Sequence, residues 1–162
     1  MVEYVLLVSF AIVLGIITYS VIKTYVPQDK LACPDEVSII LKEYTYDCAT
    51  NILTINLENN GNFNLGGYFI YATITPQATL ATKDLSKNHT DPTYQALRPI
   101  VKFDGNENSF TPGKEEIDEY NLTGVGQIYS IEVLPIRWQI EKNKKVLASC
   151  QNAKIKKTIE CN

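Results

Sequence analysis

The sequence predicts an α+β chain, with one long apolar helix at the amino end followed by an antiparallel β-sandwich. Three observations carry this. Nineteen consecutive uncharged residues separate Glu3 from Lys23, and apolar side chains fall on every side of the helix they would form. Beyond Pro27 the apolar pattern changes to two-residue alternation interrupted by turn residues. All four cysteines follow the helix, the pattern of an exported, disulfide-bonded domain.

Residues 1–26 read MVEYVLLVSFAIVLGIITYSVIKTYV, and 19 of them are apolar. At the helical rise the uncharged run spans about 28 Å, close to the hydrocarbon thickness of a bilayer. Pro27 stops the helix, and the polar stretch QDKLACPDE makes residues 27–36 a linker. A cleavable secretory signal starts basic, is shorter and ends in small residues. This segment starts with an acid and ends in Tyr25 and Val26, which argues against cleavage. A plain membrane anchor accounts for the composition. A helix that rests in a membrane first and then packs into a filament core also accounts for Glu3. A lone carboxylate just inside an apolar helix is costly in lipid without a partner. In the first turn it gains from the helix dipole and can pair with a neighbouring chain's amino terminus.

From residue 37 to 162 the segments read as strands. Val37–Tyr46 forms the first, and Asn51–Glu58 places Leu53, Ile55 and Leu57 on one face. Asn59-Asn60-Gly61-Asn62 is a turn cluster, because Asn and Gly tolerate positive φ. Tyr68–Thr75 is a β-branched and aromatic run, and Arg98–Phe103 and Asn108–Thr111 are shorter candidates. Gln127–Glu141 is the longest, with a phase slip at Leu134-Pro135 that predicts a bulge. Val146–Ser149 and Lys154–Glu160 close the chain, and residues 76–95 read as a surface loop. Short strands separated by turns over this length predict a sandwich of immunoglobulin-like architecture, with Trp138 in its core.

Val2-Glu3-Tyr4 followed by an unbroken apolar helix resembles the amino-terminal segment of type IV pilin-like proteins, archaeal adhesion pilins and archaellin-like subunits above all. In that family a leader peptidase cuts just before the apolar helix, and a glutamate near the new terminus serves in assembly. Glu3 is the matching position, although it stands earlier than the family's usual glutamate and no basic leader ending in Gly precedes it here. The resemblance implies that the helices bundle into a filament core while the carboxy-terminal domains, often immunoglobulin-like, form the outer sheath. The candidate assembly residues are Glu3, Tyr4, Phe10, Gly15 and Tyr19. The expected partners are further copies of the chain and, before assembly, a membrane; the expected location is a cell-surface filament. A single-pass anchored binding module is the alternative.

No C-x-x-C pair occurs among Cys33, Cys48, Cys150 and Cys161, so two disulfides are expected in place of a zinc or thioredoxin-like site. Cys33 and Cys48 flank the first strand, and Cys150 and Cys161 flank the last. If those strands lie side by side and parallel, as immunoglobulin-like sandwiches allow, matching ends join Cys33 to Cys150 and Cys48 to Cys161. Local pairing, Cys33 to Cys48 and Cys150 to Cys161, is the other arrangement. Asn88-His89-Thr90 and Asn121-Leu122-Thr123 fit the N-glycosylation triplet, so glycans join the expected partners, with Asn88 the better acceptor because of its loop.

No enzymatic constellation emerges. His89 is the only histidine, and KNHTDP around it reads as a solvated turn. Gly66-Gly67 lacks the Lys-Ser/Thr of a phosphate loop. Asp104, Asn106, Asn108 and Glu115 imitate calcium-loop spacing, but Ser109 replaces the required glycine and Pro112-Gly113 interrupts it. Glu115, Glu116, Asp118 and Glu119 read as a solvated edge that faces a neighbour's carboxy-terminal lysines in a filament. The first 26 residues hold one acid and one base, so the whole net charge of −3 belongs to the β region and argues against nucleic-acid binding. Neither a cofactor nor a metal is expected.

Overall fold

The computed structural model describes residues 2–25, 32–95, 99–103 and 107–161. The chain divides into two compact units, Met1–Leu31 and Ala32–Asn162. The first holds helix α1, Val2–Tyr25, which runs unbroken through Gly15. Its apolar residues point in all directions, and every described side chain from Tyr4 to Ile22 is exposed. Pro27, the expected stop, lies outside the described residues, as does the 27–31 half of the expected linker.

The second unit is built from strands β1 (Ile40–Asp47), β2 (Ile52–Glu58), β3 (Gly67–Thr73), β4 (Lys83–Asp84), β5 (Val101–Lys102), β6 (Glu115–Asn121), β7 (Ser130–Glu141), β8 (Lys144–Ser149) and β9 (Ile155–Thr158), with a short helix α2 (Pro92–Gln95). The described chain is therefore α+β. One sheet has the order β1-β2-β6; the other runs β4-β3-β7-β8, with β5 also on β3 and β9 also on β7. Every strand pairing is antiparallel.

The alternation read from the sequence sets the inner faces. Leu53, Ile55 and Leu57 of β2 are fully buried, as are Tyr68, Ile70 and Ala72 of β3. They share one core with Ile131 and Val133 of β7 and with Phe103 and Phe110, whose rings stack 3.9 Å apart. Each such side chain contributes about 1.5–3 kcal/mol through burial. In β1 the register shifts between Leu41 and Glu43, leaving Lys42 at a bulge. From there its ammonium reaches Glu58 at 3.2 Å and also pairs with Glu115 across the sheet.

Several expectations are corrected. Leu134-Pro135 carries no bulge in its pairing with β3, where the register runs without a shift from Ser130 to Ile136. Instead the Pro135 carbonyl accepts from Cys150 N–H at 2.9 Å, so the proline nitrogen faces that same flank. There β8 has ended and β9 has not begun, and the turn Gln151–Ala153 fills the interval. The missing donor falls where no strand asks for one. Of the expected strand Arg98–Phe103, Arg98 lies outside the described residues and the strand observed is β5; Asn108–Thr111 shrinks to a single bridge between Phe110 and Leu65. Trp138 is half-buried outside the core cluster, its backbone held by the Asn108 side chain at 2.8 and 2.9 Å.

The 32–36 half of the expected linker belongs to the domain. Gly61 N–H donates to Ser38 O and Asn62 N–H to Glu36 O, at 3.2 and 3.0 Å. The Asn59–Asn62 turn therefore needs glycine for close approach and not for positive φ. A Cβ on Gly61 would lie 2.5 Å from Ser38 N and 2.7 Å from Glu36 O. Both obstacles are backbone, so Gly61→Ala is expected to cost about 1–3 kcal/mol, as overpacking does. Denaturant unfolding reads this, and an unchanged midpoint would mean that the two segments do not pack so closely.

The disulfides join Cys33 to Cys150 and Cys48 to Cys161, with sequence separations of 117 and 113. The first and last strands are nevertheless not neighbours: β1 pairs with β2 and β9 with β7, in different sheets. The bridges instead tie both ends of β1 in the small sheet to the ends of β8 and β9 in the large one.

Candidate functional site

Two features stand out, one in each unit. On α1, Tyr4 is 80% exposed, Phe10 63% and Tyr19 67%, and the aliphatic side chains between them are exposed as well. The small hydroxyl side chains on this surface are satisfied by the helix itself. The hydroxyls of Ser9, Thr18 and Ser20 donate to the carbonyls of Val5, Leu14 and Ile16 at 2.7, 2.8 and 2.8 Å. Between the Tyr4 and Tyr19 phenols near its two ends, such a surface asks little of water, which suits hydrocarbon or other apolar helices. Tyr4–Ile22 is long and apolar enough to cross a membrane. Nothing lies within 4 Å of the position a Gly15 Cβ would take. Ala11 stands one turn before Gly15, so this face of the helix is shallow. Glu3 falls in the first turn.

The second feature is a buried polar cluster in the β unit. His89 is only 4% exposed, which corrects the expected solvated turn. The 76–95 segment is not a free surface loop: Leu85 and Ser86 are fully buried, and Thr90 N–H donates to Glu119 O of β6 at 2.8 Å. An isolated bridge pairs His89 with Tyr120. The His89 Nδ1 accepts from Asp91 N–H at 3.0 Å, so in the neutral ring the proton sits on Nε2. Nε2 then donates to Asp118 Oδ1 at 3.0 Å.

Asp118 Oδ2 accepts from the Tyr68 hydroxyl. Because that proton is committed, the 2.6 Å contact between Tyr68 and Tyr120 has Tyr120 as its donor. The His89 ring packs edge-on to Tyr120, with centroids 5.1 Å apart. Burial first, then the neighbouring Tyr120 and Asp118, push the Tyr68 phenol well above its ordinary range, which keeps it a donor. Three elements thus meet at one carboxylate: β3, β6 and the segment after β4. Buried and internally satisfied, the cluster is suited to holding sheets and loop together and has no exposed nucleophile.

Several members of both surface charge groups are paired within the chain. Glu115 pairs with Lys42, which first among its partners, with Asn56 after it, holds the carboxyl below its usual range. Lys145 pairs with Glu107. Burial would raise the Glu132 carboxyl, but Lys154 at 3.0 Å and Lys156 at 3.3 Å outweigh it and hold it low. Asp104 and Asn106 of the calcium-like spacing lie outside the described residues. Among the described residues no group of three His, Cys, Asp or Glu side chains is arranged to hold a metal. Two disulfides indicate an oxidising, extracytoplasmic environment.

Comparison with protein-family models, with curated proteins and with solved structures gave no match to this chain. Reading the sequence missed the cluster because it missed β6. In EEIDEYN the one aliphatic residue, Ile117, is 66% exposed while Asp118 and Tyr120 are buried. The alternation was present, but hydrophobicity marked the wrong face.

Proposed function

We propose that this chain is the structural subunit of an extracellular type IV pilus-like filament of the archaeal kind. It polymerises through α1 and displays the β unit outward for adhesion. In this reading the two-sheet unit is a form of immunoglobulin-like domain, and the helix rests in a membrane before assembly. The observation that carries the proposal is the continuous apolar surface of α1, whose serine and threonine hydroxyls at 9, 18 and 20 are satisfied within the helix. Apolar helices leaving a bilayer stay out of water by packing on one another.

Gly15 supports polymerisation over simple tethering. A glycine in a helix interior costs about 1 kcal/mol relative to alanine, and within α1 no described side chain takes the space it leaves. A second helix approaching at Ala11 and Gly15 does use it. Gly15→Leu and Glu3→Ala are therefore expected to abolish filaments seen by electron microscopy while leaving membrane insertion intact. Filaments that persist in both variants would leave α1 a tether and the β unit an anchored binding module.

A further inference from the structure

Asn88 and Asn121 head the two glycosylation triplets of the chain, and the fold brings them together. The Asn88 Nδ2 donates to the backbone carbonyl of Asn121 at 2.9 Å. From the sequence the two differ only in that Asn88 lies in a longer loop. In the folded chain they differ in how the acceptor amide is held.

Asn88 is half-buried, and its amide is engaged through the nitrogen, with Asn121 O. Its Oδ1 is buried without a hydrogen-bond partner. The middle residue of its triplet, His89, is locked to Asp118, and the last, Thr90, is bonded through its backbone to Glu119. To be modified, Asn88 has to leave this packing.

Asn121 ends β6 and is exposed. The middle residue of its triplet, Leu122, is fully buried and its N–H donates to Asn51 O at 2.8 Å. Strand alternation then turns Asn121 and Thr123 to solvent on either side of that anchor. The Asn121 Oδ1 accepts from Thr123 N–H at 3.0 Å, which closes a turn around the amide carbonyl and leaves the amide nitrogen of this exposed residue outside that bond.

We infer that Asn121 is the N-glycan acceptor of the folded chain and that the fold itself withholds Asn88. In the transfer, a bond forms between Asn121 Nδ2 and the anomeric carbon of a lipid-diphosphate-linked oligosaccharide. The bond from that carbon to phosphate breaks, the lipid diphosphate leaves, and one amide proton passes to solvent. The inference stands apart from polymerisation, since it concerns the β unit alone.

The test uses the full chain in detergent micelles with its disulfides intact. It is incubated with a single-subunit oligosaccharyltransferase and a lipid-diphosphate oligosaccharide, then read by intact mass and glycopeptide mapping. One glycan is expected, on Asn121. Asn88→Gln leaves it in place; Asn121→Gln and Thr123→Ala, the latter keeping the asparagine itself, each remove it. The reduced, alkylated and unfolded chain is expected to accept two. A glycan on Asn88 of the folded chain overturns the assignment, and so does a folded chain left bare where the unfolded one is modified. An unfolded chain modified at Asn121 alone overturns the claim that folding withholds Asn88.

Discussion

Replacing all four cysteines by serine is expected to lower the stability of the β unit by about 8 kcal/mol in the chain-entropy description. Domains of ordinary stability hold about 5–15 kcal/mol in total, so the variant is expected to unfold or come close to it. The two bridges do not contribute independently, because they join the same two regions of the chain. The first to form closes a loop spanning a separation of 117 or 113 residues. With that loop closed, the second closes only the ring made by 33–48 and 150–161, roughly 26 residues, and restrains the unfolded chain less. Removing either bridge alone is therefore expected to cost about 3.5 kcal/mol, and removing both more than twice that.

Trp138, the chain's single tryptophan, reports unfolding in denaturant. Cys33→Ser with Cys150→Ser, Cys48→Ser with Cys161→Ser, and the fourfold variant complete the set. Losses that simply add would show that the bridges restrain separate parts of the unfolded chain, contrary to the connectivity.

Asp118→Ala is expected to destabilise by about 3–5 kcal/mol, far beyond a surface substitution. It strands two buried donors at once, the Tyr68 hydroxyl and the His89 Nε2–H. Each buried donor without an acceptor costs about 1–3 kcal/mol. Asp118→Asn is expected to cost less, about 1–3 kcal/mol, because it keeps the acceptor for His89 and displaces only one donor. The asparagine oxygen accepts from His89 and its amide donates to Tyr68; Tyr68 then turns its proton toward Tyr120, which displaces the Tyr120 proton from the Tyr68 oxygen. Denaturant midpoints decide between the variants. Equal losses for alanine and asparagine would mean that the carboxylate's charge, and not the count of satisfied donors, stabilises the cluster. Negligible losses for both would mean that the cluster is not as dry as its burial indicates.

The parts of the fold that were legible are those where apolar side chains mark one face. The helix needed only the uncharged run from Tyr4 to Ile22. Strand β2 needed only Leu53, Ile55 and Leu57 at alternate positions, all of which are buried. Strand β6 was illegible because its inward residues are Asp118 and Tyr120, whose burial depends on partners from distant segments. The sequence around His89 likewise carries the polar composition of a turn. Only its separation of 29 residues from Asp118, closed by the fold, turns it into part of an interior.

The same division runs through the candidate sites. Sequence by itself determined that the chain carries a long helix apolar on every side, a β unit of alternating strands, and cysteines suited to two disulfides. Local composition and periodicity suffice there, because burial of apolar surface depends on side-chain type and spacing along one segment. Only the tertiary structure decided how the strands are ordered, why Pro135 needs no bulge, and which polar groups are interior. It also distinguished Asn121 from Asn88, two triplets alike in sequence. Those outcomes rest on pairwise hydrogen bonds between remote residues, and a polar group's burial follows from whether its partner arrives, which no local pattern records.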